Sequence, residues 1–375
     1  MSEWKKVKFE EILVIKKGEY ITKKEARVGI YPVILGGKEP AYFVDKYNHV
    51  GKAIVISRSG ASAGYVSFWN EPIFVTDGFL IEPKNDVTYE FLYYALKSKQ
   101  KLLHNVQQGA AIPHVTPRLI SDIDFTLPDN TIQHRIATIL SRYDSLIENY
   151  QKQIKLLEES AQRLYKEWFI DLRFPGHENT KIVDGVPERW KKGILDDIAY
   201  ESGEKIDKSN RDKYENYLPI DCLPKHSLTY LTPADISLAE SSLVSFEEDD
   251  ILFGAMRPYF HKVCFAQSKG LTRSTCFVLN SKEKEYREFL LMLLFDDSSV
   301  KHATSISVGT TMPYTRWKEF KLMNIIIPAK DIALSFSQNL FRIIKALKNL
   351  SSQIRLLTEA RDRLLPKLMS GEIEV

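Results

Sequence analysis

Cysteine is scarce in this chain: Cys222, Cys264 and Cys276 are the three among 375 residues, and no two of them form a CxxC pair. That argues against a disulfide framework and against a thiolate zinc site. No N-terminal run has the make-up of a signal peptide, and no apolar run is long enough to span a membrane, so we expect a soluble protein of the reducing cytoplasm. An excess of one charge is also missing. With 52 basic against 49 acidic residues, no net basic field announces nucleic acid, although a local basic patch can bind DNA while acidic helices elsewhere mask it.

Catalytic signatures are lacking too. There is no GxxxxGK[ST] loop to cradle ATP phosphates. There is no Asn/Asp-Pro-Pro-aromatic loop of the amino-methyltransferases, since MPYT (312–315) lacks the polar residue and the second proline. The eight histidines, His49, His104, His114, His134, His177, His226, His261 and His302, show no paired metal spacing. The acidic run Glu247, Glu248, Asp249, Asp250 offers carboxylates for a metal by composition, but four acids at a strand entrance fit a solvated turn better. The expectation is recognition without chemistry: no catalytic residue, no metal and no cofactor held by the chain.

What the sequence does have is a long stretch from Pro128 to Phe169 without glycine and without a further proline. Asp129, Asn130 and Thr131 offer N-cap oxygens at its start. Its apolar residues fall at Ile136, Leu140, Tyr143, Ile147, Tyr150, Ile154, Leu157, Ala161, Leu164 and Trp168, alternating steps of four and three. That is a heptad seam, and the helix it predicts is about 50 Å long, too long for one small core to cover.

The stretch occurs twice. A shift of 200 positions lays Gly109 on Gly309, Pro113 on Pro313 and Pro128 on Pro328, and then aligns Leu140, Arg142, Asn149, Gln153, Ile154, Leu156, Leu157, Glu159, Arg163 and Leu164 with identical residues, without a gap. The second seam reads Phe336, Leu340, Ile343, Leu347, Leu350, Ile354, Leu357, Arg361, Leu364, Leu368, broken by Arg361, with Pro366 expected to end or kink the last turn. Two matched heptad helices most simply cover each other's seams, and the agreement upstream makes this an internal duplication.

Around the helices the chain reads as α+β. Strand-like runs are YPVIL (31–35), AIVIS (53–57), YVSF (65–68) and PIFV (72–75), then a helix over Tyr89–Val106 and a strand ending at Leu127. After a turn-rich linker (171–189) the second half offers strands YLPI (217–220), DILFGA (250–255), KVCFA (262–266) and TCFVL (275–279), and a helix over Tyr286–Phe295. The divisions are 1–128, 129–170, 171–189, 190–328 and 329–375. The middles of the halves differ: a similar frame with a different lining.

Several polar clusters sit beside glycines. GGKEPAYF (36–43) and SRSGASAGYVSF (57–68) carry Lys38, Arg58, Ser59, Ser62 and Tyr65. GAMRPYFHK (254–262) places Arg257, Tyr259, His261 and Lys262 on what reads as one exposed turn, and LTRSTC (271–276) adds Arg273, Ser274 and Thr275. Glycine lets backbone N–H groups approach phosphate, and arginine reads guanine O6 and N7. Taken alone, each cluster fits a hairpin with solvated charges better than a DNA contact. The loops 109–113 and 309–313, with Gln108 before the first and His114 and Tyr314 after them, either turn the chain or touch DNA.

Six segments in order are similar to a known family: VPERWKKGILDDIAYESG (186–203), ILFGAMRPYFHKVCFA (251–266), the GAAIP and GTTMP loops, LPDNTIQHRIATIL (127–140), YKEWFIDLRFPGHE (165–178) and LLPKLMSGEIEV (364–375). Over essentially its whole length the chain resembles the specificity subunits of type I restriction–modification systems. It departs from them at 333–337, where ALSFS replaces the basic QHRIA turn of the first helix.

The resemblance implies two target-recognition domains alternating with two long helices that pair as an antiparallel coiled coil with pseudo-twofold symmetry. Such a subunit reads a split double-stranded DNA target whose gap the helix length sets. It also implies that the polar clusters above contact DNA. Outward helix residues Gln133, Arg135, Arg142, Lys152 and Lys155 would dock methyltransferase subunits, two of them, with restriction/translocase subunits joined through these. S-adenosylmethionine, ATP and Mg²⁺ would be used by those partners. The alternative is a coiled-coil scaffold whose globular ends bind protein.

Overall fold

The computed structural model describes residues 4–22, 26–35, 37, 39–60, 62–105 and 114–375. The chain divides into two compact units, Met1–Leu146 with Leu357–Val375, and Ile147–Leu356. Both long helices contribute to both.

The central helix spans Asn130–Tyr165, and Asp129 Oδ1 caps it by accepting from Ile132 N at 3.0 Å. The C-terminal helix spans Lys330–Ser370. The heptad seams are real and uneven. Leu140, Ile147, Ile154 and Ala161 are buried, as are Leu340, Leu347 and Ile354, while the interleaved Tyr143, Tyr150, Leu157 and Leu164, and Ile343, Leu350, Leu357 and Leu364, are half-buried. Pro366 neither ends the helix nor stands at its end. The helix continues to Ser370 because Leu365, Leu368 and Met369 bury into the first unit's core, which outweighs the one missing backbone donor.

In the first unit a four-stranded antiparallel sheet runs in the order Leu13–Lys17, Gly78–Pro83, Lys52–Ser57, Val66–Asn70. Its Lys52–Ser57 strand is covered on both faces, which explains the uninterrupted apolar run. Ile54 and Ile56 join Phe9, Phe79 and Phe91 on one side, and Ala53 and Val55 join Ile34, Val75 and Leu80 on the other. The helix expected over Tyr89–Val106 is two, Tyr89–Ser98 and Gln100–Asn105, broken at Lys99; Val106 lies outside the described residues. Ile136 and Leu140 from the start of the central helix share this core with Leu365, Leu368 and Met369 from the end of the other. The two helices therefore run antiparallel there.

The second unit repeats the frame. Its four-stranded sheet runs Ala199–Glu201, Cys276–Ser281, Ile251–Gly254, Val263–Phe265, the same order of first, last and middle strands as in the first unit. In both units the strand leading into a long helix pairs with the strand that opens the domain: Leu127 stands opposite Lys5, and Ile327 opposite Lys191. Here the end of the central helix meets the start of the other, with Phe169 ring-to-ring at 4.8 Å from Phe336 and 4.7 Å from Phe289.

Two expectations change. YLPI (217–220) is not a strand. Tyr217 makes only isolated bridges to Ala234 and Leu271, and Pro219, which has no N–H to give a ladder, leads into a 3₁₀ turn at Ile220–Cys222. The stretch 171–189 is folded onto the second unit: Phe174 packs on Trp190 at 5.0 Å, and Ile182–Val183 pairs with Val186–Pro187. The turn between those strands is Asp184-Gly185, both at positive φ (51° and 78°), as a tight hairpin turn requires.

Candidate nucleic-acid interface

In the second unit three backbone segments meet where strand Ile251–Gly254 leaves the sheet. Ala255 N donates to Thr275 O at 2.9 Å, and Thr315 N donates to Ala255 O at 2.9 Å. Arg257, held at φ 50°, donates its backbone N–H to Pro313 O at 2.7 Å and Nη2 to Thr311 O at 3.2 Å. Met256 bridges Tyr314, whose phenol donates to Ser274 O at 3.0 Å and whose pKa burial raises. Gly309 makes the loop possible with φ 108°, a conformation a side chain would strain. The turn 256–261, the loop 309–313 and the turn 273–276 are thus one hydrogen-bonded platform. Tyr259, Arg273 and Ser274 stand exposed on it, Arg257, Thr275 and Tyr314 half-buried. Arg273 Nη2 reaches Ser241 Oγ at 3.2 Å.

Two residues expected on that turn do not stand exposed on it. His261 is buried, its Nδ1 3.2 Å from Asp297 Oδ1 and its ring 4.2 Å from that of His226. Burial first, and the neighbouring His226 second, lower its pKa. Lys262 lies along the sheet and donates Nζ to Ile220 O at 2.6 Å. The polar turn is short: Tyr259 is exposed, but the chain turns back after it, leaving His261 buried and Lys262 half-buried.

The first unit builds the same junction from other side chains. Arg58 leaves strand Lys52–Ser57, donating its N–H to Asp77 O at 3.2 Å, while Val115 N donates to Arg58 O at 3.0 Å. Ser59 bridges His114 as Met256 bridges Tyr314, and its hydroxyl donates to Asp77 Oδ2. Arg58 and His114 are exposed and Ser62 half-buried. Half-buried Tyr65 has the Lys97 ammonium 4.3 Å over its ring, and burial raises its phenol's pKa. Gly64 has φ 81°, and a Cβ there would stand 2.6 Å from Leu103 O. Lys38, Gln108 and the loop 109–113 lie outside the described residues.

On the helices, Arg135, Arg142, Lys152 and Lys155 are exposed, Lys152 pairing with Glu148 at 2.6 Å. Gln133 is not on an outward face. It is 2% exposed and turns back to donate Nε2 to Pro128 O at 3.0 Å and to Asn130 Oδ1 at 3.2 Å, completing the helix start.

Sequence reasoning missed three polar arrangements. Glu158 is buried, accepting at Oε1 from Ser227 Oγ (2.7 Å), Leu228 N (2.8 Å) and Thr229 Oγ1 (3.2 Å). Its position three residues before Ala161 on the seam side was the only available signal. The acidic run is pinned: Lys348 reaches Glu248 at 2.6 Å and Asp249 at 2.5 Å, and buried Asp250 accepts from Ser202 (3.0 Å) and Asn280 (2.8 Å). The run is a turn whose first two acids, Glu247 and Glu248, are exposed as expected, while Asp249 is half-buried and Asp250 is buried. His226, His261 and Asp297 converge without any spacing to betray them.

No helix among the described residues is long and apolar enough to cross a membrane. A family model described as the type I restriction modification DNA specificity domain matches residues 1–159 and again 187–365. The chain is 29% identical over 347 residues to the type I restriction enzyme MjaIX specificity subunit of Methanocaldococcus jannaschii, covering 86% of this chain and 78% of that protein. It is 23% identical over 370 residues to the HindI specificity subunit of Haemophilus influenzae, covering 80% of each. The crystal structure of a type I restriction–modification S subunit from M. genitalium superposes with a TM-score of 0.63 at 19% identity, over 98% of this chain and 96% of that one, a likeness of fold. With both halves matched by the same model and the same frame repeated in each, the chain belongs to the type I restriction–modification DNA specificity family.

Proposed function

We propose that the chain reads a bipartite target in double-stranded DNA, one half-site through each unit's loop platform, and itself carries out no chemistry. The carrying observation is the repeated junction. The first residue beyond the strand, Arg58 or Ala255, accepts a backbone bond from Val115 or Thr315, and the next, Ser59 or Met256, bridges His114 or Tyr314. An arginine stands either at that first residue (Arg58) or two residues further on (Arg257), with different side chains around it. A conserved-geometry frame with a changed lining is what two readers of different bases require, and arginine is the side chain best shaped for guanine in the major groove. Arg58, Ser59, Ser62, Tyr65 and His114 serve the first half-site, and Arg257, Tyr259, Arg273, Ser274, Thr275 and Tyr314 the second. The backbone bond that fixes each arginine positions it; the exposed neighbours supply phosphate contacts.

Two methyltransferase subunits dock on the exposed helix residues Arg135, Arg142, Lys152 and Lys155, and restriction/translocase subunits join through them. Those partners use S-adenosylmethionine, ATP and Mg²⁺, in the cytoplasm. Fluorescence anisotropy of the full chain on random duplex DNA tests the reading. Neutralising about six phosphates makes affinity fall roughly a thousandfold between 50 and 200 mM salt. A coiled-coil scaffold for other proteins would show no binding at either salt, and that result would overturn the proposal.

A further inference from the structure

His226, His261 and Asp297 come from three separate segments of the second unit: a loop, the end of the turn Pro258–Phe260, and the first residue of helix Asp297–Ser305. One ligand-capable atom of each lies within 4.8 Å of the others. His261 is 4% exposed, and among the described residues its Nε2 has no hydrogen-bond partner, an arrangement that costs free energy if nothing else meets the ring. Its Nδ1 stands 3.2 Å from Asp297 Oδ1. Two ligands held about 2.0–2.1 Å from one zinc ion at tetrahedral angles are about 3.3 Å apart, so Nδ1 and Oδ1 already have the separation of two ligands, and the ion would be held through Nδ1 rather than Nε2.

Two imidazoles and one carboxylate form a mixed nitrogen–oxygen donor set. Hard cations such as Ca²⁺ and Mg²⁺ take six or more oxygens and are poorly served by it. Imidazole-rich sites suit zinc and its first-row neighbours. The three residues also border a cavity of about 490 Å³, which Gln162 and Lys166 help to line, so an ion has room to enter and a water can complete its shell.

We propose that His226, His261 and Asp297 form a binding site for one divalent transition-metal ion, Zn²⁺ in the first instance. The ion would tie the turn bearing Arg257 and Tyr259 to the helix Asp297–Ser305. The loop of His226 is already joined to that turn, with His226 N donating to His261 O at 2.9 Å and the Lys225 ammonium 4.6 Å over the Phe260 ring. Zinc binding here does not depend on how the chain reads DNA, and its test needs no DNA.

The metal-free full chain is titrated with Zn²⁺ against a chromophoric chelator, with Co²⁺ absorption as a second readout. Wild type should take up one tightly held ion per chain, and Co²⁺ should develop visible d–d bands. His226→Asn and Asp297→Asn should each weaken binding at least tenfold and abolish the bands. Asparagine tolerates the φ of 51° at position 226, so the first variant keeps its backbone conformation. His134→Asn, on the exposed face of the central helix, should bind as wild type. Thermal melting separates binding from folding: Zn²⁺ should raise the midpoint of wild type and leave that of the two site variants unmoved. Equal Zn²⁺ affinity in wild type and His226→Asn, or no stoichiometric uptake by wild type, would overturn the site.

Discussion

Arg361, the one residue that breaks the second heptad seam, donates Nη1 to Asp144 Oδ1 at 2.5 Å from 217 residues away in the chain. Tyr94 donates its phenol to the other carboxylate oxygen at 2.6 Å, and burial, with Asp144 beside it, holds that phenol protonated well above its usual range. In the first unit the polar break in the seam is therefore an ion pair closed by a tyrosine. Arg361→Ala should cost about 2 kcal/mol by leaving a partly buried carboxylate short of its cation. Asp144→Ala should cost a similar amount, and the double variant clearly less than the sum. Additive losses in denaturant unfolding would show that the pair is not coupled.

The uneven seams make a second prediction. Ile154 and Ile354, equivalent under the 200-residue shift, are 7% and 3% exposed, whereas Leu156 and Leu356 are 61% and 57% exposed. Ile154→Ala and Ile354→Ala should each lose about 3 kcal/mol of stability, and Leu156→Ala and Leu356→Ala less than about 0.5 kcal/mol. Equal effects at all four positions in urea unfolding would contradict the burial pattern.

Glu158 predicts a pH dependence. Burial raises its carboxyl pKa, and the bonds from Ser227, Leu228 and Thr229 oppose that rise. A carboxyl with a raised folded pKa gives its full stabilisation below the unfolded value, about 4.3, and loses it as pH rises through the folded value. Glu158→Gln keeps an acceptor for the three donors and does not titrate. Its stability relative to wild type should therefore improve as pH rises above the unfolded value and level off once pH passes the folded one. A difference that stays constant over that range would mean the buried carboxyl does not titrate differently on folding.

The parts of the molecule that obey a period were legible in the sequence. Heptad spacing gave the two helices, and the apolar run AIVIS gave a strand, whose burial on both faces the structure adds. Residues whose partners are distant in the chain were not. Arg361 looked like a defect because Asp144 cannot be found by spacing. Gln133 looked outward because it is polar, while its side chain is spent on the helix start five residues back. His261 looked like a reader of DNA because its neighbours Arg257 and Tyr259 are polar, yet the turn carries it inward to Asp297 and His226. The Asp184-Gly185 hairpin could have been found from its dipeptide alone.

Modular reading is tested most directly by selecting bound duplexes from a randomised DNA library with wild type, Arg58→Ala and Arg257→Ala, each first shown to melt as wild type does. Wild type should enrich one motif with two specified halves and an unspecified gap. Arg58→Ala should relax one half and leave the other intact, Arg257→Ala the reverse, each loss corresponding to about 1–3 kcal/mol of discrimination. If either folded variant lost both halves together, or if wild type enriched no two-part motif, the two platforms would not be independent readers of DNA.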